Sequence, residues 1–259
     1  MKRIIALMMI FALVVSASSL MSFAGKVETV TVIDKITGET KKVDKIYYNE
    51  LERQNNERIK KYLTKSDIAF IDYIIKFKNE NPKLSTEELY KIIFDRKKSG
   101  QISVQAESTT AWDKLTPSEK SLVIVFPKEA LIVDACKKDT DAITNKKYPN
   151  WKDGDKGNAF RHALWNTMMA LNIGKSLAKS FADAHEAVVD GNGKLLTDAQ
   201  LKLLKWNGFD GLQHKNMDLN NNSKGRDCVA WYEFFTSNDT LASRVQTKIN
   251  NGEMTILVK

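Results

Sequence analysis

Asn158-Ala-Phe-Arg-His-Ala-Leu-Trp-Asn166 is the stretch on which the reading of the fold turns. At about 100° per residue, Phe160, Ala163, Leu164, Thr167, Met168 and Leu171 fall on one side of a helix, as a core stripe does. The opposite side carries Asn158, His162, Trp165, Asn166 and Met169. In a chain that is 28% charged, a solvated face would show Lys or Glu at several of these places, and this one shows none. The helix is therefore expected to be buried on both sides, its polar side meeting a polar pocket or a partner helix. Buried His and Asn need hydrogen-bond partners whether or not they do chemistry, so a packing role stands beside a catalytic one.

Gly174 ends this helix, and a helical pattern resumes from about Lys175 to Val189, with Leu177, Phe181, Ala184 and Val188 as its stripe. Asp183-Ala-His185-Glu186 lies on it, with His185 at the edge of the stripe and Glu186 about 100° round. The short connection predicts antiparallel packing of the two helices, which would let His162 and His185 face each other. On the N-terminal side, Thr116-Pro-Ser-Glu119 is a capping box with Pro at the first helical position, and a further helix follows Pro127 to about Asn145. On the C-terminal side, Thr197-x-x-Gln200 opens a short helix to Trp206. A Gly-rich loop is then expected to reach Met217-Asp-Leu-Asn-Asn-Asn-Ser-Lys-Gly-Arg226, where Asp218 and the Asn residues suit a turn or a helix N-terminus. One or two more helices and a strand-like tail from Thr255 to Val258 complete the chain.

Residues 26–44 alternate as strands do around a Thr37-Gly38 turn, which predicts a hairpin. From Lys45 to about Lys98 apolar residues recur at three and four, and Ser85-x-x-Glu88 caps the last of three helices. Residues 99–111 are small, polar and aperiodic, and read as a linker and domain boundary. The first 24 residues read as an export signal: basic Lys2 and Arg3, an apolar run from Ile4 to Val15, and Ser22-Phe23-Ala24 before cleavage. The fold class expected is mainly α, with short strands at both ends of the mature chain. A signal at 1–24, a hairpin-and-helix region at 25–110 and a helical motif-bearing domain at 111–259 make up its parts.

Without Lys2 and Arg3 the formal charge falls from +8 to +6. The mature chain is expected to be secreted or wall-associated. Its charge suits an anionic partner (a cell-surface polymer, lipid head groups or nucleic acid), although interspersed Lys and Glu fit a solvated surface better. Beyond the leader no stretch approaches the length of a membrane span. Cys136 and Cys228 are the only cysteines, and export leans towards a disulfide between them.

No Gly-x-Ser-x-Gly, zinc-protease His-Glu-x-x-His or phosphate-cradling loop is present. Asp218, Asn220 and Asn222 imitate the first ligands of a calcium loop, but the central Gly and the closing Glu are missing. Asn158-x-Phe-Arg-His-x-x-Trp-Asn, x-Asp-x-His-Glu and Met-Asp-Leu-x-Asn-Asn-x-x-Gly-Arg, in that order, resemble the signature of an uncharacterised bacterial domain family. That family occurs in secreted and wall-associated proteins and in polymorphic-toxin-like chains. The resemblance spans about Thr116 to Val258. It implies that Arg161, His162, Trp165, Asn166, His185, Glu186, Asp218, Asn221, Asn222 and Arg226 occupy its motif positions.

Two hydrolytic chemistries fit these residue types. In one, His162, His185, Glu186 and Asp218 hold a divalent metal ion (zinc, manganese or iron) that activates water. In the other, a His acts as base, a carboxylate orients it, and Arg161 or Arg226 with the Asn amides stabilises an anion. The competing class is a non-catalytic structural or binding module whose motif residues form a buried polar network.

Overall fold

The computed structural model describes residues 27–100, 112, 114–191, 193–230, 233 and 236–258. The export-signal reading and most of the linker reading therefore lie outside the described residues. Among those described, ten helices and two small antiparallel strand pairs make a mainly α fold, as expected. Strands β1 (Thr29–Ile33) and β2 (Thr40–Asp44) pair from Thr29↔Asp44 to Ile33↔Thr40, and Gly38 takes the positive φ of the turn between them. Helices α1 (Lys45–Tyr62), α2 (Lys65–Glu80) and α3 (Thr86–Lys98) follow. Ser85 and Glu88 exchange the predicted capping bonds ahead of α3.

Helices α4 (Pro117–Val125), α5 (Pro127–Lys147), α6 (Lys156–Ile173) and α7 (Lys175–His185) come next. Both predicted capping boxes form, Thr116 with Glu119 and Thr197 with Gln200. Each satisfies backbone donors that a helix start leaves open. The second opens only a single turn, α8 (Asp198–Leu201), and not a helix to Trp206. Asn207-Gly208 makes a turn instead, with both φ positive, joining β3 (Lys205–Trp206) to β4 (Phe209–Asp210). Asn-Gly is the pair that such a two-residue hairpin turn favours.

The stretch 217–226 corrects the expectation of a loop or helix start. It lies inside α9 (Gly211–Arg226), which Asp210 and Gln213 cap with a box of their own. Amides are indifferent helix formers, but Met217, Asp218, Asn221, Asn222 and Gly225 fall on one side and are buried there. That side packs against α6. The crossing is closest at Gly225, where a Cβ would come within 2.1 Å of the Ala163 carbonyl oxygen. Thr167 Oγ1 ties the crossing by donating a hydrogen bond shared between the Ala163 and Gly225 carbonyls, at 2.7 and 2.8 Å. Helix α10 (Asn238–Asn250) follows. The tail from Thr255 to Val258 is not a strand: its Leu257 and Val258 amides donate to the Gly154 carbonyl.

Helix α6 packs against α5, α7, α9 and α10. It is buried all round except at Lys156, Arg161, Asn172 and Ile173, as its uncharged second face predicts. One cluster of buried apolar residues runs from Leu63 to Met254 and joins α2 and α3 to the later helices. Asp139 reinforces the junction: Arg58 Nε donates at 2.8 Å, Tyr62 at its hydroxyl, and Asn238 Nδ2 at 3.1 Å.

Cys136 and Cys228 are both buried free thiols, so the lean towards a disulfide is corrected. Cys136 meets Asn172, whereas Cys228 lies by Thr167 and Lys224. Positions 167 and 172 are about 140° apart around α6, so the helix itself stands between the sulfurs. Among the described residues no helix is long and apolar enough to cross a membrane.

Candidate functional site

Three elements bring three titratable side chains together. His162 comes from the middle of α6, Glu186 from the residue that closes α7, and Asp218 from the middle of α9. One ligand atom from each lies within 4.8 Å of the others. The residues are 5%, 9% and 8% exposed, so the group is nearly dry. His162 Nδ1 is 3.2 Å from Glu186 Oε1, and Nε2 is 3.4 Å from Asp218 Oδ1. These are ion-pair distances, but neither contact has the alignment of a hydrogen bond. His162 Nδ1, Asp218 Oδ1 and Asn158 Oδ1 are buried without a hydrogen-bond partner within the protein. Asn158 stands one helical turn before His162, on the same face.

The charges respond to this crowding. Burial would depress the His162 imidazole, but the Glu186 and Asp218 carboxylates beside it win and its pKa is raised. Burial would raise Glu186, yet His162, with help from Asn222, holds it below the ordinary glutamate value. Asp218 goes the other way. Burial, with the nearby charges of Glu186 and Asp153 and against that of His162, pushes its pKa up to about 7.

Behind the cluster runs a hydrogen-bonded chain of amides. Arg226 Nη1 donates to Asn166 Oδ1 at 2.6 Å, Asn166 Nδ2 to Asn222 Oδ1 at 2.6 Å, and Asn222 Nδ2 to Glu186 Oε1 at 2.8 Å. These motif residues orient the Glu186 carboxylate rather than face an open space. Asn221 is spent elsewhere, in a mutual pair with the backbone of Thr255 at 2.9 Å each way. Arg161 reaches Asp141 at 2.7 Å and covers the Trp151 ring, away from the cluster.

His185 does not join His162, and the expected pairing of the two is corrected. Its Nδ1 is 2.8 Å from Glu119 Oε1, and its ring meets the Trp165 edge with centroids 5.0 Å apart. A carboxylate only accepts, so Nδ1 carries the proton in this contact. The imidazole lines a cavity of about 230 Å³ together with Trp112, Trp165 and Phe181. His185 and Glu186 end α7 side by side, so about 100° of helix rotation sends one to this cavity and the other to the cluster.

His214 and Asp153 were not foreseen. His214 lies one turn before Asp218 on α9, a spacing that could have drawn attention to it. Its Nδ1 is 3.1 Å from Asp153 Oδ2, and Nε2 donates to the Trp206 carbonyl at 3.1 Å. Trp206 stands edge-on to its ring at 5.9 Å, so the β3–β4 hairpin walls this side of the site.

The helices and the buried carboxylate–imidazole cluster thus define an all-α domain built around a polar centre. The chain belongs to the family described as a domain of unknown function (DUF6973), whose model matches residues 120–253. That match takes in His162, Glu186 and Asp218 and leaves β1 to α3 outside it. No curated protein and no solved structure matches the chain.

Proposed function

We propose that the chain is a hydrolase whose centre holds one divalent cation between His162, Glu186 and Asp218. The observation that carries this reading is the set of three mutually close ligand atoms, two of the three side chains having a buried atom that nothing in the protein satisfies. Charge supports it. Two carboxylates are buried here, and the motif arginines Arg226 and Arg161 are turned to Asn166 and Asp141. A divalent ion balances two carboxylates and a neutral imidazole, and mixed N and O donors suit zinc, manganese or iron. The ion would polarise a substrate oxygen or lower the pKa of a bound water to about 7. Asn222 fixes the Glu186 carboxylate, and the Asn158 carbonyl offers an acceptor for the water. Export and a toxin-like setting rest on the leader-like first 24 residues and on the motif resemblance.

A second, metal-free reading draws on the imidazole standing between two carboxylates, with Nδ1 towards Glu186 and Nε2 towards Asp218. His162 would then pass a proton between water and the substrate's leaving group. One experiment separates the two: assay the mature chain against chromogenic phosphodiesters, carboxylic esters and glycosides before and after chelation. The metal reading predicts hydrolysis that chelator abolishes, that added manganese or zinc restores, and that His162→Ala lacks. Hydrolysis that survives chelation supports the metal-free reading. Hydrolysis of no substrate, in a chain that binds no divalent ion, contradicts both and leaves the polar network as a packing device.

A further inference from the structure

Residues 194–206 carry an exposed apolar surface that packing does not explain. Leu203 is 81% exposed, Leu195 50% and Trp206 40%, and Leu204 is also exposed. Buried Leu201 anchors the segment, and its last two residues, Lys205–Trp206, form the first strand of the hairpin turned at Asn207-Gly208. Gly211 seats the Trp206 ring closely, since a Cβ there would lie 2.5 Å from it. The leucines are therefore presented by a fixed scaffold. Lysines are threaded among them: Lys194, Lys202 and Lys205 are all exposed. Lys205 approaches Asp210 only at 3.9 Å, and Lys202 pairs with no carboxylate among the described residues.

We propose that residues 194–206 dock on an anionic lipid bilayer, with Leu203 entering the acyl boundary and the lysines meeting head-group phosphates. This stands independently of the metal reading. A single exposed leucine needs no explanation, but several beside a Trp mark an interaction surface. The chemistry selects the occupant. Lysine is depleted where protein surfaces meet, which argues against a second copy or another protein. Nucleic-acid surfaces add base-reading side chains or a series of stacking aromatics to their phosphate-binding cations, and residues 194–206 offer no arginine and a single aromatic, Trp206. Leucine, tryptophan and interleaved lysine together suit the bilayer interface, where Trp sits at head-group level and long cationic side chains reach the phosphates.

The test is co-sedimentation of the mature chain with vesicles of phosphatidylcholine, alone or mixed with phosphatidylglycerol. Binding is expected only to the phosphatidylglycerol vesicles, with a blue shift of tryptophan emission and weakening by salt. Leu203→Asp should weaken it roughly ten-fold or more, the value of one buried leucine. Lys202→Glu should weaken it also, whereas Ile46→Asp, at an exposed site on α1, should not. Equal binding to both vesicle types, binding to neither, or full binding by Leu203→Asp would overturn the proposal. So would a Leu203-dependent dimer that leaves vesicles alone.

Discussion

Burial and the charges of Glu186 and Asp153 push the Asp218 carboxyl up to about 7, from an ordinary value of 3.8. Between those values the folded chain keeps a proton that the unfolded chain has released. The resulting stability is complete below pH 3.8 and lost as the pH rises through about 7. His162, whose pKa is also raised, adds a loss in the same direction above its ordinary 6.5. Glu186, whose pKa is lowered, acts oppositely, but only below about its ordinary 4.5. A metal-stripped chain is thus expected to melt at falling temperature as the pH goes from 4 to 8, measured by circular dichroism. Asp218→Asn should flatten that slope, and so should a bound cation, which favours the ionised carboxylate. A slope unchanged in Asp218→Asn would show that this carboxyl does not carry the raised pKa.

Helix α6 was legible because an uncharged second face is written into one segment: Asn158, His162, Trp165 and Asn166 are all buried. Helix α9 was not, because Asp and Asn prefer turns and caps when taken alone, and only packing against α6 makes a helix of them. Its seat depends on Gly225 meeting Ala163, and no local pattern announces a partner 62 positions away. Gly225→Ala should therefore cost about 3 kcal/mol or more, since backbone blocks the added methyl. Chemical denaturation would show it, and a loss below about 1 kcal/mol would mean the helices separate easily. The destination of His185 was hidden for a related reason. Adjacent residues on α7 point about 100° apart, and the sequence does not say which of them meets α6. Glu119 had been read only as a capping residue, yet it does both jobs, with Oε2 on the Thr116 amide and Oε1 on His185.

One apolar cluster joins the hairpin-and-helix region to the family domain, and Asp139 pins the two across Arg58, Tyr62 and Asn238. Arg58→Ala should therefore destabilise the whole chain by roughly 3 kcal/mol, because it leaves a buried carboxylate with only Tyr62, Asn238 and the exposed Lys61 as partners. A denaturation midpoint equal to that of the unaltered chain would contradict this. The boundary proposed at residues 99–111 makes that stretch the expected site of first proteolytic cleavage. The nicked halves should co-elute, held by the shared core, and halves that part on dilution would mean the core does not hold them. Both thiols should resist alkylation until the chain is unfolded, because burial pushes the Cys136 thiol up to about 11 and raises Cys228 as well. A disulfide found by mass spectrometry of the unreduced chain would contradict that arrangement. The most direct measurement of what the chain is built around is elemental analysis of the purified protein beside its His162→Ala, Asp218→Asn and His185→Ala variants. About one equivalent of a divalent transition metal is predicted in the unaltered chain and in His185→Ala, and little in the other two while they remain folded. Equal metal content in all four, or none in a chain that also gains no thermal stability from added zinc or manganese, would contradict a metal centre at His162, Glu186 and Asp218.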